Sequence, residues 1–298
     1  MYKVRTDKIA GRPMNAASHL IDPESLHECL DQSGWRIIDC RFDLADPAAG
    51  EQLYLGGHIP GAVFADLDRD LASPVGPRTG RHPLPDAGTF QERLGALGVD
   101  NTTRIVVYDA NNGALAARAW WLLRWTGHSK VQLLDGGLDA WLRQGYDLRG
   151  GSEAVARKHF AARPRPELVL TTRELARDPA AIAAMRLIDA RDAERFRGEL
   201  EPIDPIAGHI PGSINLPLTE SLNDDGTWKM RRSLEALWGK VLGPDKSQAW
   251  AVMCGSGVTA CHLALSGLLA GYAEPRVYVG SWSEWIRDPA RPIARGAG

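Results

Sequence analysis

The chain is poor in cysteine: its 298 residues include four, Cys29, Cys40, Cys254 and Cys261. That is too few for a disulfide framework in so long a protein, and none forms a C-x-x-C pair, which argues against structural zinc. Charge of one sign is not in excess: 35 Lys and Arg stand against 37 Asp and Glu, a net value of −2, so composition gives no reason to expect nucleic acid or an acidic membrane as partner. No uninterrupted apolar run approaches the length of a membrane span. The opening "MYKVRTDKIAGRPMN" has no apolar core of the signal-peptide kind. Together these absences point to a cytoplasmic protein with reduced thiols, at least one of them available for chemistry.

What is present is an ordinary globular composition in a length that accommodates two domains, and the chain says nearly the same thing twice. "WRIIDCR" (35–41) returns as "MRLIDAR" (185–191), and "GHIPGAV" (57–63) as "GHIPGSI" (208–214). "RIVVYDA" (104–110) corresponds to "QAWAVMCG" (248–255), and "GGLDAW" (136–141) to "GSWSEW" (280–285). Landmarks recurring in one order at a spacing this wide indicate a duplicated domain, each copy with its own core. Within a copy, apolar runs such as "RIIDC" and "IVVYD" read as buried parallel strands. They alternate with the helical patterns "AGTFQERLGALGV" and "ALAARAWWLLRWTG". The expected fold is therefore α/β: two tandem domains, each a mostly parallel sheet with helices on both faces. The N-terminal copy is placed at 1–150, a linker at 151–165 and the C-terminal copy at 166–298. The closing "IRDPARPIARGAG" (286–298) reads as a loose tail.

Ligands of parallel sheets sit at the carboxyl ends of the strands, where Cys254 falls in the second copy and Asp109 in the first. Cys254 opens "CGSGVT" (254–259), between strand "AWAVM" and helix "ACHLALSGLLAGY". Gly255 and Gly257 let successive N–H groups turn inward as a nest, and the following helix adds its positive end. Such a ring favours a thiolate, or any anion built on the sulfur. Ser256 and Thr259 add hydroxyl donors. Three readings compete for the loop. A buried structural cysteine is the plainest. A cysteine phosphatase needs an arginine after five intervening residues, where this chain has Ala260. A thiolate that accepts sulfur needs the amides and no such arginine, and this reading is preferred.

The paired "GHIPG" motifs, the "CGSGVTA" loop and the closing "GSWSEW" resemble the tandem-domain rhodanese sulfurtransferases over nearly the whole chain. Within that family the loop is similar to that of the 3-mercaptopyruvate sulfurtransferases. The resemblance implies a Cys254 nucleophile that becomes a persulfide, and an inactive N-terminal copy with Asp109 in place of the nucleophile. It implies substrate contacts from the loop (Gly255, Gly257, Val258, Thr259) and from Arg195 in "RDAERFRGE". A second substrate arginine is expected after the "EP" of "LEPIDP", where this chain has Ile203; Arg197, Arg231 and Arg232 are candidates to stand in. A Ser-His-Asp relay would be Ser256, His82 in "RHPLP" and Asp68 in "FADLDRD". His58 and His209 occur in both copies and read as turn residues, and Cys29, Cys40 and Cys261 as core cysteines. The implied partners are a small-molecule sulfur donor and an acceptor thiol such as thioredoxin, or cyanide, with no metal or organic cofactor. Thiosulfate is the alternative donor. A non-catalytic rhodanese module that binds a partner or carries sulfur is the reading from a different class.

Overall fold

The computed structural model describes residues 18–177 and 185–297. The polar opening stretch lies outside the described residues. The first sheet comprises β1 (Leu20–Ile21), β2 (Trp35–Asp39), β3 (Ala62–Phe64), β4 (Arg104–Tyr108) and β5 (Val131–Leu134), in the order β1-β5-β4-β2-β3. The second repeats that order with β6 (Val169–Leu170), β7 (Leu187–Asp189), β8 (Ile214–Asn215), β9 (Ala251–Met253) and β10 (Arg276–Tyr278), as β6-β10-β9-β7-β8. The pairings are parallel. Ile38 lies opposite Val107 in one sheet and Ile188 opposite Val252 in the other. These β-branched residues are buried on the central strands, where stiff side chains pack well on a pleated surface.

Helices α1 (Pro23–His27), α2 (Ala49–Gly56), α3 (Ala87–Ala96), α4 (Ala116–Trp125) and α5 (Gly137–Arg143) belong to the first copy. The second contributes α6 (Thr172–Arg177), α7 (Ala193–Arg197), α8 (Arg231–Leu242), α9 (Ala260–Leu269) and α10 (Ser281–Trp285). Asp22 and Asp86 start α1 and α3 by accepting the N–H groups of Ser25 and Thr89, which would otherwise be orphaned. The repeated "IDxR" motif makes the same buried pair twice: Arg41 on Asp39 and Arg191 on Asp189. Each guanidinium also donates to the glycine carbonyl that opens "GHIPG", Gly57 or Gly208. His58 and His209 lie buried beside these turns, stacked on Tyr54 and Phe196 and bonded to their carbonyls.

Two expectations need correction. The copies do not each keep a core to themselves. Among the described residues, one face of each sheet has a private cluster, around Ile37, Val106 and Trp141 in the first copy and Leu187, Tyr278 and Trp282 in the second. The opposite faces merge into one continuous core in which Trp120 and Trp121 join Trp238 and Trp250, with α4 packed against α9. Such indoles each remove roughly 150–250 Å² from water, so the shared face is a main source of cohesion. Nor is the end of the chain loose. Ala294 pairs with His209, Trp285 Nε1 donates to the Pro292 carbonyl, and Gly296 N–H donates to Arg197.

Candidate active site

Cys254 follows β9, and the loop it opens is tied down from the start of α10. Its N–H donates to Ser281 Oγ at 3.1 Å, while the carbonyls of Cys254 and Gly255 accept from Trp282 and Ser283. Ser281 is held at φ 52°, a left-handed conformation unusual for serine. The strain is retained where its hydroxyl also donates to the Tyr278 carbonyl at 2.8 Å. Gly257 is at φ 80°, and a Cβ there would run into the Val279 carbonyl. Its N–H donates to Cys254 Sγ at 3.1 Å, a contact that strengthens when the sulfur is negative. Its carbonyl accepts from Arg118 Nη1 at 3.0 Å, across the boundary between the copies. Among the described residues, the N–H groups of Gly255, Ser256, Val258 and Thr259 find no protein acceptor. In the first copy Asp109 occupies the corresponding loop position, and its own carboxylate accepts from Gly113, Leu115 and Ala116 at 2.8–3.0 Å.

The three relay residues come together although they lie on different copies. His82 Nδ1 is 2.8 Å from Ser256 Oγ, and its Nε2 is 3.3 Å from Asp68 Oδ1. His82 and Ser256 are buried and Asp68 is exposed. Burial, then the guanidiniums of Arg118 and Arg81, push the His82 imidazole down to about 3. The ring is therefore neutral near pH 7. With a carboxylate at Nε2 the proton belongs there, and Nδ1 accepts from the Ser256 hydroxyl. Burial, then Asp66, raises the Asp68 carboxyl above its ordinary value.

Arg195, on α7, reaches the loop. It is ion-paired to Glu201 at 2.7 Å and to Asp204 at 3.2 Å. None of the proposed stand-ins for the second arginine does the same: Arg197 pairs with Glu199, Arg231 with Glu235, and Arg232 is exposed on α8. Ile203 points to solvent, 44% exposed. The guanidinium that joins Arg195 is that of Arg81, which pairs with Asp204 from the other copy. Arg81 carries no signal in the sequence beyond adjacency to His82. The Cys254 thiol is buried, 2% exposed. The other cysteines are buried and free. Burial raises the Cys29 and Cys40 thiols and pushes Cys261 up to about 12. Among the described residues no group of His, Cys, Asp or Glu is arranged to hold a metal ion, and no helix is long and apolar enough to cross a membrane.

Two α/β copies in tandem, with one cysteine loop at the end of a central strand, define a class, and the comparisons agree. The rhodanese-like domain model matches residues 22–144 and again 171–288, so the chain belongs to that family as a tandem of two copies. It is 43% identical over 283 residues to "Probable 3-mercaptopyruvate sulfurtransferase" of Pseudomonas aeruginosa, covering 94% of this chain and 99% of that one. To the thiosulfate sulfurtransferase of Gallus gallus it is 34% identical over 258 residues, covering 85% and 87% respectively. The crystal structure of SseA from Escherichia coli, a 3-mercaptopyruvate sulfotransferase with the rhodanese fold, superposes with a TM-score of 0.77. Its sequence identity is 34%, over 89% of this chain and 99% of that one.

Proposed function

We propose that the chain moves sulfane sulfur from 3-mercaptopyruvate to an acceptor thiol or cyanide through a persulfide on Cys254. The observation that carries the reading is the Ser256–His82–Asp68 chain, assembled from both copies on the loop that Cys254 opens, with two guanidiniums beside Gly255 of that loop. The donor carboxylate lies toward Arg195. The Cys254 thiolate attacks the donor sulfur, the carbon–sulfur bond breaks, and its electrons pass into the enolate of pyruvate. Ser256 takes the donor's thiol proton as it gives its own to His82 Nδ1, and the chain returns that proton to the methylene carbon. Thiolate and mercaptopyruvate thus become persulfide anion and pyruvate with no net proton uptake. A neutral His82 is the form that can begin this exchange. Gly257 N–H and the unpaired loop amides suit the anionic persulfide. In the acceptor step a second thiolate, from thioredoxin or a small thiol, takes the outer sulfur and regenerates Cys254. The chemistry requires no metal or organic cofactor.

The N-terminal copy, 1–150, is inactive in this reading, because a carboxylate at Asp109 cannot carry transferable sulfur. The linker, 151–165, joins it to the catalytic copy, 166–298. Free cysteines suit a reducing, cytoplasmic setting. Incubation with 3-mercaptopyruvate should release pyruvate and add the mass of one sulfur atom to the Cys254 peptide; no adduct there refutes the proposal. Thiosulfate is the second reading, favoured by the positive groups of Arg81 and Arg195 beside Gly255. Turnover of the two donors by one preparation decides between them.

A further inference from the structure

Two guanidiniums, one from each copy, lie over the cysteine loop. A Cβ added at Gly255 would stand 2.8 Å from Arg81 Nη2, and 3.5 and 3.8 Å from Arg195 Nη2 and Nη1. Both arginines hold one carboxylate between them: Arg81 pairs through Nη1 with Asp204 Oδ1, and Arg195 through Nη2 with Asp204 Oδ2. Arg195 is further tied to Glu201, which fixes its guanidinium beside the loop. Arg81 differs. Its Nε is buried with no hydrogen-bond partner, and among the described residues no acceptor meets its Nη2. Unused donors on a fixed guanidinium beside a nucleophile suit a planar, two-oxygen anion.

We infer that Arg81 is a specificity residue: with Arg195 it reads the carboxylate of a 2-oxo acid sulfur donor, and Asp204 holds that place until the donor arrives. The inference rests on the sulfur-transfer reading, and it accounts for one fact left over from the site. Ile203 offers no charge where the resemblance expects a second arginine, and Arg81 supplies one from the opposite copy. Burial already raises the Asp204 carboxyl above its ordinary value, ahead of the lowering pull of Arg81. Its hold as an anion is thus weakened, and exchange for an incoming carboxylate is eased.

The test compares 3-mercaptopyruvate with mercaptoacetone, which has the same thiol and ketone and no carboxylate. Wild type should prefer the acid in kcat/KM. Arg81→Ala should lose about 10- to 100-fold of that preference, the range of a charged hydrogen-bonded pair, chiefly through KM for the acid. Arg81→Lys should recover part of it. If Arg81 merely props its neighbour His82, both donors suffer alike and the preference survives, which overturns the inference. A binding measurement stands apart from turnover: pyruvate should slow iodoacetamide modification of Cys254 in wild type and do so far less in Arg81→Ala. Equal protection in both, or none in wild type, also overturns it. Failure of the underlying reading has a different signature: wild type forms no Cys254 persulfide with either donor.

Discussion

Replacing Cys254 with serine keeps the size of the side chain and removes the atom that would carry sulfur. Cys254→Ser should abolish sulfur transfer while thermal unfolding and circular dichroism stay at wild-type values; turnover in the variant would refute the nucleophile. Ser256→Ala breaks the relay at its donor end and should slow persulfide formation by roughly 100-fold, read as single-turnover pyruvate release. At this scale much was legible. The Cys254 loop stands out by its glycines between a strand and a helix, while Ser256, His82 and Asp68 are picked out by the family resemblance, each lying within 3.3 Å of the next. Arg81 was hidden because nothing in "GRHPLP" says which element of the other copy it will face. That depends on Arg81 N–H meeting Ser283 Oγ and Gly80 N–H meeting Glu284, contacts that exist only once the copies dock.

At the scale of elements, the loop between β9 and α9 keeps its shape through residues in backbone conformations that other side chains resist. Gly257→Ala meets both a positive φ and the Val279 carbonyl. It should cost roughly 1–3 kcal/mol, measured by urea unfolding, and displace the N–H that faces Cys254 Sγ. Ser281→Gly relieves the left-handed strain and removes the acceptor for Cys254 N–H. Persulfide formation should slow in that variant even where stability is little changed. Strands and helices were readable because β-branched runs and helical apolar spacing are local signals. The fixed end of the chain was not, because it is held largely through backbone groups at His209, Ala294 and Gly296, which every sequence possesses.

For the molecule as a whole, the expectation of separate cores failed for a definable reason. A fully buried parallel strand is apolar on both faces, and the pattern does not say whether a helix of its own copy or the neighbouring copy covers each one. The boundary so formed contains Arg118, fully buried, which donates to the carbonyls of Leu71, His82 and Pro83 in one copy and Gly257 in the other. Arg118→Met leaves those acceptors without a partner and should cost about 2–4 kcal/mol, with cooperative unfolding of both copies at a lower urea midpoint. The same boundary makes the fold acid-sensitive. Burial lowers His82 and His262 to about 3 and His19 to about 4, with Arg118 and Arg81 assisting at His82 and Arg124 at His19. Each stays neutral in the native state and takes a proton near pH 6.5 when unfolded. Their contribution is complete above that value and is lost as pH falls toward the native ones. The slope is about 1.4 kcal/mol per unit for each group. Urea midpoints should drop between pH 7 and 5, and His262→Gln should show a shallower drop. Asp109, finally, gives the molecule a standing likeness of a step in the cycle proposed for it. Its loop is filled by a side-chain anion of the chain's own making, and under the proposed function the other loop would grip its negative cargo in the same manner for a moment between donor and acceptor.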